Sequence, residues 1–261
     1  MTQHLRIANA GVIRREIGDW ADTETAKDIT RSLDLVHAAD KTAMTMIAGV
    51  PGIGKTTAVQ RFCEGLGHDA IYIQAARGEG TAWNFANALS SLWGRYSRPS
   101  YNCLSEARDV LAGYIGSDRV LVVDEAQYLN QRNGKTRQVG EAYEWLRATA
   151  ETGGFKLVFC GDLTLIPAIS TLPQLQSRMM RPVELREASR ADVAALVEGT
   201  AFATDKAIDA LHAIARLKGG LRNVQNVTRI ALLFAGDSQP TLSHLKAAIV
   251  DMKLAPKGGA R

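Results

Sequence analysis

Residues Gly49-Val50-Pro51-Gly52-Ile53-Gly54-Lys55-Thr56 spell a complete G-x-x-x-x-G-K-[ST] phosphate loop, and Thr57 continues it into the next element. The stretch before it, Ala43 to Ala48, is mostly apolar, as a buried strand entering a tight turn should be. Thr57 to Leu66 has the pattern of a helix with Ala58, Val59 and Phe62 on its inner side. Strand, glycine-rich turn and helix in that order are the context this motif requires. Glycines let the backbone curl with its N–H groups facing inward, around phosphate oxygens at a helix N-terminus. Lys55 brings a mobile charge for the β- and γ-phosphates, and Thr56 a hydroxyl for a magnesium ion. The chain is therefore expected to be α/β, with a parallel sheet, and to bind a nucleotide.

A second landmark is Arg119-Val120-Leu121-Val122-Val123-Asp124-Glu125-Ala126-Gln127, in which a buried strand delivers paired acids. In open α/β sheets ligands bind at the C-terminal strand edge. Asp124 is expected to hold magnesium with Thr56, and Glu125 to polarise a water for attack on the γ-phosphate. A third strand, Phe155 to Gly161, brings Asp162 to the same edge, where it either helps position the water and sense the γ-phosphate or simply closes a turn after glycine. Farther on, Gln176-Ser177-Arg178-Met179-Met180-Arg181 carries two arginines suited to act on a neighbouring subunit's nucleotide, or to lie solvated on a loop.

Helical patterns cover 22–39, 83–93, 104–115 and 140–150, and a short strand covers 70–74. From Ser189 onward the pattern is purely helical, over 191–202, 205–217, 221–233 and 242–254. These patterns divide the chain into an N-terminal arm (1–21), an α/β nucleotide-binding domain (22–186), a helical lid domain (187–254) and a tail (255–261). Arg222 follows Gly219-Gly220 at the start of a lid helix and is placed to reach back to the nucleotide; with Arg229 on the same face, a basic DNA-facing helix is the alternative.

Charge adds one hint. The net charge of +4 lies entirely in the part from Arg186 on, with 11 Lys+Arg against 7 Asp+Glu, while residues 1–185 hold 20 of each. The irregular stretch Asn130 to Gln138 holds Arg132, Lys135 and Arg137 among amides and a glycine, the groups that track a phosphate backbone, although a solvated surface loop has the same composition. Three scattered cysteines argue against a disulfide framework or zinc site, and the lack of a long apolar run or signal-like start against a membrane span. A cytoplasmic protein is expected.

The order of motifs resembles an AAA+ ATPase: phosphate loop, strand ending Asp124-Glu125, strand ending Asp162, Ser177-Arg178, then a helical lid with Gly219-Gly220-Leu221-Arg222. Within that superfamily it is most similar to the MuB-like transposition helpers, with TniB and IstB as relatives. The resemblance rests on the stretch 49–57, on Val122-Val123-Asp124-Glu125-Ala126-Gln127-Tyr128-Leu129 and on Phe159-Cys160-Gly161-Asp162, which ExeA-type ATPases share. It implies an AAA+ fold with a small helical lid, and an ATP- and Mg2+-dependent ATPase that oligomerises as a ring or helical filament on double-stranded DNA, captures a transposition target and delivers it to a transposase. By that likeness Glu125 is the hydrolytic base, Asp162 sensor 1, Arg178 or Arg181 an arginine finger, and Arg222 sensor 2. An aspartate is unusual for sensor 1. Longer phage relatives carry an N-terminal helix-turn-helix domain, for which the roughly 40 residues before the first strand leave too little room, so DNA contact is expected from Arg132, Lys135 and Arg137. Two readings compete. A membrane or peptidoglycan-binding segment would favour an ExeA-like adaptor acting on a protein partner, while the helical bundle and the Asp124-Glu125 pair argue against a small-molecule kinase, which needs an acceptor-binding lid instead.

Overall fold

The computed structural model describes residues 20–130 and 140–255. Five strands, β1 (Met44–Gly49), β2 (Ala70–Gln74), β3 (Val120–Asp124), β4 (Lys156–Gly161) and β5 (Val183–Leu185), form one sheet in the order β2-β3-β4-β1-β5, and every pairing is parallel. The central strands β1, β3 and β4 are buried along their whole length, which is why each reads as a continuous apolar run. Strand β5 was not visible as a strand in the sequence. Three residues between Pro182 and Arg186 are too few to show a period, and only the pairing of Gly49 with Leu185 makes them one.

Helices cover both faces of the sheet: α1 (Glu24–His37) and α2 (Lys55–Leu66) on one side, α3 (Ala82–Ser90), α5 (Leu104–Ile115) and α6 (Glu141–Gly153) on the other, with the short α4 (Gly94–Ser97) between α3 and α5. Because side chains alternate along a strand, Met44, Met46, Leu121, Val123, Leu157 and Phe159 enter the core beneath α3, α5 and α6. Their neighbours Ile47, Val120, Val122, Val158 and Cys160 meet Ile29, Leu33 and Val59 beneath α1 and α2. Truncating a side chain such as Leu121 to alanine in this interior would cost about 2–5 kcal/mol.

Helices α7 (Leu165–Ser170) and α8 (Pro173–Gln176) lead back under the sheet, where Met179 bridges to Met44 at the first residue of β1. After β5 the chain is helical: α9 (Arg190–Val197), α10 (Asp205–Ala215), α11 (Gly220–Ala235) and α12 (Leu242–Asp251) enclose their own core of Val193, Leu211, Val224, Val227, Leu245 and Ala248. This helical unit is stapled to the α/β part. Asp192, in the first turn of α9 and 2% exposed, accepts from the amide of Thr25 (2.9 Å), the hydroxyl of Thr25 (3.0 Å) and the amide of Ser189 (2.9 Å). Helix α1 starts at Glu24, two residues later than the acidic residues suggested, because the side chain of Thr23 accepts from the Ala26 amide and makes the cap. Among the described residues no helix is long and apolar enough to cross a membrane.

Candidate functional site

The site lies where β1 ends. Gly49 pairs with Leu185 at the sheet edge, and a Cβ on it would stand 2.8 Å from that of Leu185, so only glycine permits the two strands to approach this closely there. Gly52 and Gly54 take positive φ angles of 80° and 101°, and Gly54 is the residue before helix α2, whose first turn begins at Lys55 and Thr56. Backbone amides and the positive end of α2 thus face one cleft of about 570 Å3. The lining includes Trp20 and Thr23 before α1, Glu125 and Gln127 after β3, and Arg222 and Gln225 of α11.

Lys55 Nζ donates to the carbonyls of Gly49 (2.7 Å) and Val50 (3.1 Å), closing the loop on itself. Burial lowers its pKa, against the opposing pull of Asp124, Glu125 and Asp162. Thr56 Oγ1 donates to Asp124 Oδ2 at 2.8 Å, so the sheet order brings the two expected magnesium residues together across 68 positions of sequence. Asp124 is 1% exposed, and its other oxygen accepts from the Glu125 amide at 2.8 Å. A hydroxyl and a carboxylate are hard oxygen donors and fit a magnesium ion. Among the described residues no three His, Cys, Asp or Glu side chains gather as a metal site.

Glu125 has a positive φ of 51°, which for a residue with a side chain is strained. Its carboxylate accepts from the side-chain amide of Gln127, whose carbonyl in turn accepts from the amide of Asp162 at 3.2 Å. Gln127 therefore joins the ends of β3 and β4, and a Cβ on Gly161 would collide with it. The Asp162 carboxylate is turned away from this relay: it accepts from the amide (2.8 Å) and the hydroxyl of Thr164, as a turn-closing residue does. A further group unmarked in the sequence is Tyr72 of β2, whose hydroxyl donates to Asp124 Oδ2 at 2.8 Å; burial first, and then Asp124 itself, push its pKa up, so it stays protonated.

Arg222 of α11 docks on the loop, its amide donating to the Gly52 carbonyl at 3.2 Å, and its exposed side chain lines the cleft. Arg178 and Arg181 do not line it. They follow α8 near Met44, at the start of β1, while the phosphate loop follows its end, about 16 Å away at ~3.3 Å per residue. Arg178 pairs with Glu151, and Arg181 NH1 donates to the carbonyl of Asp28 (3.1 Å) while its NH2 pairs with that residue's carboxylate. The expected DNA residues Arg132, Lys135 and Arg137 lie outside the described residues. Arg229 is exposed on α11.

Sheet order, phosphate loop, acidic pair and following helical unit together make this the AAA+ P-loop fold. Residues 38–167 match the family model of the AAA domain, and residues 177–252 match that of the Mu B transposition protein, C terminal. No curated protein matches it. Among solved structures it is similar to the Aeropyrum pernix ORC1 protein in complex with DNA, at 19% identity and a TM-score of 0.60 over 88% of this chain and 65% of that one, so the chain spans just under two thirds of that protein. The Aeropyrum pernix ORC2 protein in its ADPNP-ADP complexes is similar at 15% identity and 0.64, covering 94% and 74%. Domain III of the Thermotoga maritima replication initiation protein DnaA is similar at 16% and 0.55, covering 92% and 97%. At these identities the likeness is one of fold.

Proposed function

We propose that this chain is an ATP-dependent DNA-binding ATPase that assembles on duplex DNA and assists transposition, capturing target DNA for a transposase. The observation that carries this reading is the Mu B-type C-terminal match following the AAA-domain match, whose phosphate loop brings Thr56 against Asp124 in one cleft. Solved relatives of the fold include proteins bound to DNA or to adenine nucleotides, in keeping with that reading.

In the proposed reaction the amides at the start of α2 hold the phosphates, and Lys55 moves from the carbonyls of Gly49 and Val50 to the β- and γ-phosphates. Magnesium, when bound with ATP, neutralises charge across the phosphates, with Thr56 and Asp124 as the residues that hold it. Glu125 takes the proton of the attacking water once its carboxylate leaves the Gln127 amide. Arg222 reads the phosphates from the lid side. Arg178 and Arg181, which do not line their own cleft, act on the nucleotide of a neighbouring subunit, which makes oligomerisation, as a ring or filament, part of the proposal. Asp162 remains the sensor candidate by position, with its carboxylate engaged by Thr164.

Arg132, Lys135 and Arg137 are the proposed DNA contacts. The test is fluorescence anisotropy of two unrelated duplexes in ATP, in ADP and across a salt titration. ATP-dependent binding without sequence preference is expected, and replacing the three cations with alanine should flatten the salt slope by about one unit per lost contact. Absence of duplex binding in ATP would overturn the DNA reading and leave an adaptor that acts on a protein partner.

A further inference from the structure

Asp124 is held from a side that the phosphate loop does not supply. In the β2–β3 register Tyr72 faces Val122 and Gln74 faces Asp124. With side chains alternating every residue, Tyr72 and Asp124 emerge on the same face of the sheet, on adjacent strands and one diagonal step apart. The ring of Tyr72 joins the apolar cluster of Val59, Phe62 and Val122, a place a phenylalanine would fill equally well. The hydroxyl is what packing leaves unexplained, and it reaches Asp124 Oδ2 at 2.8 Å, the oxygen to which Thr56 also donates at 2.8 Å.

The direction of the bond follows from the carboxylate, which has only acceptors, so the phenolic proton goes to Asp124. Gln60, one turn after Thr56 on α2, has its side-chain amide 3.4 Å from the Tyr72 oxygen on the other side. Oδ1 is meanwhile engaged by the Glu125 amide at 2.8 Å. The carboxylate thus has a donor from the phosphate-loop helix, one from its own backbone and one from the neighbouring strand. Thr56 is the donor whose oxygen a cation would claim, and its orientation must change to serve it. On Oδ2, the oxygen shared with Thr56, Tyr72 is a donor that can stay, as the Glu125 amide can on Oδ1.

From this geometry we infer that Tyr72 is a positioning residue for magnesium-dependent nucleotide binding: it holds the Asp124 carboxylate in a fixed rotamer through the exchange of partners at Thr56. The inference rests on the nucleotide and magnesium reading of the cleft given above. It assigns a role to β2, which contributes no residue to the motifs.

The test is a titration of the full chain with a fluorescent ATP analogue, in EDTA and at stepped free magnesium, for wild type and Tyr72→Phe. The variant keeps the ring in its apolar cluster, so the thermal midpoint without nucleotide should be almost unmoved. Affinity in EDTA should stay within about twofold, because the amide cradle and Lys55 are intact. The magnesium concentration that gives half of the metal-dependent tightening should rise about tenfold, the effect of one lost hydrogen bond to a charged group. An unchanged magnesium midpoint in Tyr72→Phe, with wild type responding to magnesium, overturns the inference alone. An equal loss of affinity in EDTA and magnesium also overturns it, since Tyr72 would then support the cleft in general. A wild type that binds no nucleotide, or binds it without regard to magnesium, overturns the cleft reading and this inference together.

Discussion

The amide of Arg222, at the start of α11, donates to the carbonyl of Gly52 within the phosphate loop, so the helical unit rests directly on the loop that is to hold phosphate. The contact depends on glycines. A Cβ on Gly52 would run into the carbonyl of Gly219, and one on Gly220 would stand 3.0 Å from the Gly52 carbonyl oxygen. Gly219 has a φ of 119°. Gly219→Ala should cost about 1–3 kcal/mol of backbone strain and weaken ATP binding, because Arg222 loses its seat. Urea denaturation and nucleotide titration check the two effects separately.

Asp192 is a further attachment of the helical unit, and it accepts three hydrogen bonds in a buried setting. Asp192→Ala leaves those donors without their partner and should destabilise the protein by about 2–4 kcal/mol, more than the loss of an ordinary helix cap. The N-terminal turn of α1 walls the nucleotide cleft through Thr23, Thr25 and Ala26, so affinity for ATP should fall as well. A normal urea midpoint for Asp192→Ala would show that the staple is not needed.

The three cysteines should differ sharply toward a thiol reagent near pH 8. Cys103 is exposed, and hydrogen bonding from Ser105 lowers its pKa. Burial raises Cys63 to about 11 and pushes Cys160, in β4, well above the ordinary thiol range. Since the thiolate is the reacting form, native protein should release one equivalent quickly, a second slowly, and the third only on unfolding. Fast reaction of Cys160 in native protein would mean that β4 opens readily.

Arg178 tests the assembly. Its ion pair with Glu151 is surface-exposed and should matter little for stability, under about 1 kcal/mol. If it acts on a neighbour's nucleotide, Arg178→Ala should lower turnover of the assembled protein by about 10^3-fold or more, and mixing it with Glu125→Gln subunits should restore part of the activity at mixed interfaces. Turnover by Arg178→Ala equal to wild type at every protein concentration would remove Arg178 from the site and leave Arg181, whose guanidinium is tied to Asp28.

Much of the site was legible because its parts are local. The spacing from Gly49 to Thr56 encodes loop, turn and helix start without help from the rest of the chain, and the apolar runs before Asp124 and Gly161 announce buried strands that end at the same edge. Helix α5 lies at Leu104–Ile115, as its period required. What was not legible depends on which strands are neighbours. Tyr72 meets Asp124 only because β2 lies beside β3, and Gln127 meets Asp162 only because β3 lies beside β4. Nothing in the spacing of residues 72 and 124 states that adjacency. Thr25 and Asp192, 167 positions apart, are a longer instance of the same limit. Asp162 shows the converse: its place at the strand edge is as expected, and the capture of its carboxylate by Thr164 two residues on follows the turn-closing alternative that its place after a glycine also offered.

The measurement closest to the central claim is phosphate release by wild type and Glu125→Gln across a titration with duplex DNA, with ATP binding followed in the same samples. Wild-type turnover should rise with duplex, and Glu125→Gln should bind ATP about as well but turn it over about 10^2- to 10^4-fold more slowly, since the cradle at α2 is intact and only the proton acceptor is lost. Wild-type turnover in Glu125→Gln, or no turnover by wild type at any duplex concentration, would contradict it.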